Sequence, residues 1–74
     1  MSKKSDGYIG KSFPVKFMET RLKHLGDELT ITEKNDGRYQ ELVGKYQSCL
    51  ESCLQIAETL EPDIKGKIAA KYQL

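Results

Sequence analysis

Residues 39–60, YQELVGKYQSCLESCLQIAETL, decide the fold. Tyr39, Tyr46, Cys53 and Leu60 recur every seven residues, with Leu42, Cys49 and Ile56 between them and Val43, Leu50 and Ala57 beside those. Seven residues are close to two turns of an α-helix, so all three rows lie on one side of a rod. Three apolar positions per heptad make a stripe broad enough for burial in a bundle, wider than the two-position seam of a minimal coiled coil. Leu54 falls outside the stripe. Gly44 lies opposite it and costs about 1 kcal/mol relative to Ala in a helix interior. The stretch therefore predicts a helix that needs a partner surface.

Upstream, Asn35-Asp36-Gly37 is the clearest punctuation in the chain. Asn and Gly tolerate positive φ, and Asp can accept hydrogen bonds from the first N–H groups of the next helix. Before this turn, Val15, Met18, Leu22, Leu25 and Leu29 fall at steps of 3, 4, 3 and 4, the spacing of one helical stripe. Pro14 suits a first helical turn, and Ser12 is a candidate cap. Gly26 is one candidate stop, and Leu29-Thr30-Ile31-Thr32 is β-branched enough to suggest a short strand. A lone strand leaves its backbone groups unsatisfied, which favours a helix fraying between Gly26 and Lys34.

Downstream, Glu61-Pro62-Asp63 breaks the long helix, because proline disfavours a helical residue before it and can start another after it. Ile64, Ile68 and Tyr72, with Ala69 alongside, then follow a four-residue step. About ten residues do not hold a helix alone in water, so this one must dock. The expected fold is all-α: an antiparallel helical hairpin, about 14–33 and 37–60, with a short C-terminal helix, about 62–72. Residues 1–12, rich in Ser, Gly and Lys, predict a flexible tail ahead of a single small helical domain over 13–74.

The chain has 74 residues, 31% of them charged, with 12 Lys plus Arg against 11 Asp plus Glu. A chain this short leaves much of its surface wet and relies on tight packing, cross-links, metal or a second copy. The near-zero net charge hides blocks: residues 1–24 and 64–74 are basic and 25–63 acidic, which favours side-by-side packing of opposite blocks. No window approaches 18 uninterrupted apolar residues, and Met1-Ser2-Lys3-Lys4 begins no apolar signal block, so the expectation is a cytoplasmic protein without a membrane span. The basic residues are too scattered for a nucleic-acid stripe.

Little in the sequence supports catalysis. Gly7-Tyr8-Ile9-Gly10-Lys11-Ser12 ends like a phosphate-binding loop, yet two residues separate its glycines where four are needed. Cys49 and Cys53, one turn apart, project in parallel, a poor geometry for a disulfide, and they form only half of a zinc site. They resemble one half of the twin Cys-x3-Cys hairpins of the mitochondrial intermembrane space, but residues 13–34 lack the matching cysteines, which excludes that family. The cysteines read as reduced core residues. His24 has no Ser or Cys spaced to make it a general base. No catalytic residue, metal or cofactor is expected.

The function expected from the broad stripe is protein–protein interaction of the adaptor, co-chaperone or inhibitor type. Tyr39, Leu42, Val43, Tyr46, Leu50, Cys53, Ile56 and Leu60 would meet a partner or a second copy. Over residues 15–60, with Tyr39-Gln40 opening helix two and Leu50-Glu51-Ser52 within it, the outline is similar to the hairpin co-chaperones of type III secretion needle subunits. Residues 61–74 depart from that hairpin. An alternative rests on Leu60-Glu61-Pro62-Asp63, similar in shape to the oligomeric helical proteins with which phages sequester cyclic nucleotides. That resemblance implies a phosphorylated small-molecule ligand, with Arg38, Lys65, Lys67 and Lys71 as candidate anion-binding residues.

Overall fold

The computed structural model describes residues 8–73. Three α-helices run in order: α1 (Phe13–Ile31), α2 (Gly37–Leu60) and α3 (Lys65–Tyr72), with a 3-10 turn over Pro62–Ile64 leading into the last. The hairpin and the short third helix agree with the sequence reading, and no strand occurs among the described residues. The Leu29–Thr32 ambiguity resolves to helix, which ends at Thr32 with its N–H on the Glu28 carbonyl.

Local chemistry sets the boundaries. Asp36 caps α2 by accepting the Arg38 N–H at 2.9 Å, and this bond lowers its carboxyl below the ordinary range. Ser12 occupies the position before α1 but donates its hydroxyl to Glu61, 2.7 Å away, instead of capping the helix. Glu61 also accepts the Lys11 and Ser12 N–H groups, each at 2.9 Å, which ties the start of α1 to the end of α2.

The buried row of α1 differs from the expected one. Val15, Glu19, Leu22 and Leu29 face the core, with Gly26 in the same row, whereas Met18 and Leu25 are only half-buried. The steps are 4, 3, 4 and 3, so the row keeps Val15, Leu22 and Leu29 but exchanges Met18 and Leu25 for their neighbours Glu19 and Gly26, on the side that meets Tyr72. The cause is Glu19, fully buried at 0% exposure. It accepts the Ile9 N–H at 3.1 Å, the Gly10 N–H at 2.7 Å and the Tyr72 hydroxyl at 2.8 Å. A buried carboxylate is tolerable when several donors meet it. No buried side-chain polar atom lacks a partner among the described residues.

The same bonds revise the tail. Residues 1–7 lie outside the described residues, but Tyr8–Ser12 forms a strap across the helices, pinned by its own N–H groups. Gly10 rests so close to Val15 that a Cβ there would collide with the Val15 side chain. The core comprises those α1 residues with Tyr46, Cys49, Cys53 and Ala57 of α2 and Ile64, Ile68 and Tyr72 of the C-terminal arm.

Candidate functional site: the open flank of the hairpin

The broad stripe of α2 is divided between two flanks. Lys65 reaches Glu58 at 3.4 Å, which marks the side onto which the C-terminal arm folds. On the helical wheel, Val43, Leu50 and Leu54 lie toward that side, and Leu42, Cys49 and Ile56 lie away from it. The middle of the stripe is used internally. Tyr46 and Cys53, expected at a partner interface, are 6% and 0% exposed and belong to the chain's own core, a correction to that expectation. Tyr39, Leu42, Val43, Leu50 and Ile56 are half-buried. Leu60, the last residue of α2, is 51% exposed.

Two hollows follow the side of α2 away from α3. One, of about 410 Å³, runs between Met18, Arg21 and Leu25 of α1 and Lys45, Ser48, Cys49 and Ser52 of α2. The other, of about 360 Å³, is an apolar lip formed by Gln55, Ile56, Thr59 and Leu60. Their residues are heptad equivalents, 48 with 55, 49 with 56 and 52 with 59, so the hollows share one flank. Lys45 is tied to Glu41 at 3.4 Å along its rim.

At the end of the hairpin marked by the Ser12–Glu61 bonds, Phe13 and Phe17 stack at 6.2 Å and remain 77% and 52% exposed. Sequence reading missed them, although an aromatic pair four residues apart and off the Val15 row was the available signal.

Cys49 and Cys53 lie in the core. Both are free thiols, and burial, with the Glu19 charge behind it, pushes Cys53 up to about 11, so it stays protonated at neutral pH. Cys49 donates to the Met18 carbonyl at 3.8 Å. No cluster of His, Cys, Asp and Glu suited to a metal occurs among the described residues. His24 is exposed on α1.

The four candidate anion-binding residues do not converge. Arg38 pairs with Asp36 at 3.4 Å at the start of α2, and Lys65 pairs with Glu58 near its end, about 30 Å along the axis. Lys67 is exposed, and Lys71 lies over the Tyr72 ring, 5.3 Å from its centre. Of the ion pairs described, Lys65–Glu58 alone joins two of the sequence's charge blocks. No helix among the described residues is long and apolar enough to cross a membrane. No family model, curated protein or solved structure matches the chain, so neither resemblance drawn from its outline gains support.

Proposed function

We propose that this chain is a helical protein-interaction module that associates through the flank of α1 and α2 lying away from α3, with a second copy as its occupant. The observation that carries this reading is the half-covered run of Met18, Leu25, Leu42 and Ile56 along one flank, with Leu60 51% exposed at the end of its lip. Large apolar side chains gathered in a small domain mark a surface that another molecule covers. The flank is continuous with the core, since Met18, Leu25, Leu42 and Ile56 pack against buried residues from outside. A symmetric pairing would bring two such flanks face to face and bury Leu42, Ile56 and Leu60 of each copy.

Sedimentation equilibrium at micromolar to submillimolar concentrations tests the reading. A reversible dimer is expected, and Ile56→Asp combined with Leu60→Asp should return it to monomer while helical circular dichroism persists. A concentration-independent monomer, or a dimer indifferent to both substitutions, contradicts it.

A further inference from the structure

Phe13 and Phe17 stand on the side of α1 turned away from the core. Val15 is fully buried, and residues two before and two after it on a helix point about 160° away from it, so both rings face outward. They stack with centroids 6.2 Å apart and remain 77% and 52% exposed, so they add little to the chain's own packing. Neither hollow beside α2 is lined by either ring. The pair is a ridge, not a groove.

Charge around the ridge has one sign. Over Phe13–His24 the basic residues are Lys16, Arg21 and Lys23, and the sole acid is Glu19, which is 0% exposed and held by donors inside the chain. Lys16 and Arg21 border the rings on either side of the helical wheel; both are exposed, and neither is in an ion pair among the described residues. Lys11 is exposed just before the helix. The acids at this end of the hairpin, Glu58, Glu61 and Asp63, belong to α2 and the arm after it, on the buried side of α1. Glu58 pairs with Lys65, and Glu61 is taken by the strap. On α1 itself the next acids are Asp27 and Glu28, about 15 Å along the axis from Phe17.

We infer that this ridge seats on the surface of a membrane rich in anionic lipid. Protruding rings need no matching cavity at a bilayer interface, where aromatic side chains enter the headgroup boundary while lysine and arginine meet lipid phosphates. A protein partner would have to supply both a pocket for two rings and acids around it. Peripheral contact of this kind needs no spanning helix. Ile31, 82% exposed on the same side, lies beyond Asp27 and Glu28, so the contact is confined to the first turns of α1.

Co-sedimentation of the full chain with large unilamellar vesicles tests this. Binding is expected to phosphatidylcholine vesicles carrying about 30% phosphatidylglycerol and not to phosphatidylcholine alone, with release as salt rises. Phe13→Ser combined with Phe17→Ser, and separately Lys16→Glu combined with Arg21→Glu, should each lower the partition coefficient by about tenfold or more while helical circular dichroism persists, because all four side chains are exposed. The inference is overturned by no binding to the anionic vesicles, or by binding that the Phe13 and Phe17 substitutions leave unchanged, which is charge adsorption alone. Equally tight, ring-dependent binding of soluble poly-glutamate also overturns it, since an acidic protein would then be the occupant. The Ile56→Asp, Leu60→Asp variant keeps the ridge, so a monomer that binds vesicles leaves this inference intact, and a dimer that ignores them leaves self-association intact.

Discussion

Glu19 and Glu61 each hold part of the strap. Four successive N–H groups, from Ile9 to Ser12, are taken by these two carboxylates, so the segment that imitates a phosphate loop does grip anions, namely the chain's own. Glu19→Ala removes the acceptor for two backbone donors and the Tyr72 hydroxyl. At about 1–3 kcal/mol for a buried donor left unpaired, a loss of about 2–4 kcal/mol is expected in urea unfolding, and one below about 1 kcal/mol would contradict the role given to Glu19. Gly10→Ala should lift the strap, because the Val15 side chain it strikes is fully buried. Loss of hydrogen-exchange protection at the Ile9 and Gly10 amides would report it. Stability should fall on both sides of neutrality. Hydrogen bonds from Ser12 and Lys11 hold Glu61 below its ordinary 4.5, so its contribution is present above that value and lost as pH falls beneath it. Cys53, raised from 9.0 to about 11 by burial, favours folding below pH 9 and loses that effect as pH climbs to about 11. Tyr72, raised above 10.0 by burial and then by its bond to Glu19, acts in the same direction beyond pH 10. Thermal melts that stay flat from pH 8.5 to about 11 would exclude this alkaline limb.

The helices were largely legible in the sequence because their signals are local. Asp36 caps α2 through a bond spanning two residues, and the heptad rows of Tyr39–Leu60 needed only the period of the helix. The exchange of Met18 and Leu25 for Glu19 and Gly26 in the buried row of α1 was not legible, because it rests on Tyr72 meeting Glu19 across 53 positions, and an acid read by composition belongs at the surface. The one hint was that Glu19 stands four residues after Val15 and three before Leu22, on a row of otherwise apolar or small residues. The strap was misjudged for a related reason, since backbone N–H groups hold it and composition does not encode their partners. As for the site, Leu42, Ile56 and Leu60 were legible from periodicity, whereas the division of the stripe depended on which flank α3 would choose. Gly44 meets nothing within 4 Å of an added Cβ. Gly44→Ala should therefore stabilise α2 by about 0.5–1 kcal/mol, and an unchanged or lower denaturation midpoint would show that this turn is not regular helix. α3 has eight residues and depends on docking. Ile68→Ala should cost about 2–5 kcal/mol as its fully buried side chain leaves a cavity, and a loss below about 1 kcal/mol would mean that α3 contributes little to the core.

The whole molecule is thin, measuring 37 × 32 × 18 Å. Packed helices lie about 8–10 Å apart, so this thickness holds little more than two layers of helix and leaves outer faces in solvent. The strap and Tyr72 pack on one side of α1, while the other leaves Met18, Leu25, Leu42 and Ile56 half-covered and Leu60 in solvent. For a chain that buries so small a core, the proposed pairing with a second copy would both complete the packing and cover the apolar flank. Isotope-filtered nuclear Overhauser spectroscopy on an equal mixture of labelled and unlabelled chains examines that pairing at atomic level. Intermolecular contacts from the Ile56 and Leu60 methyls to Met18, Leu25 and Leu42 are predicted; a spectrum with no intermolecular contacts, or with contacts that avoid this flank, would contradict the account.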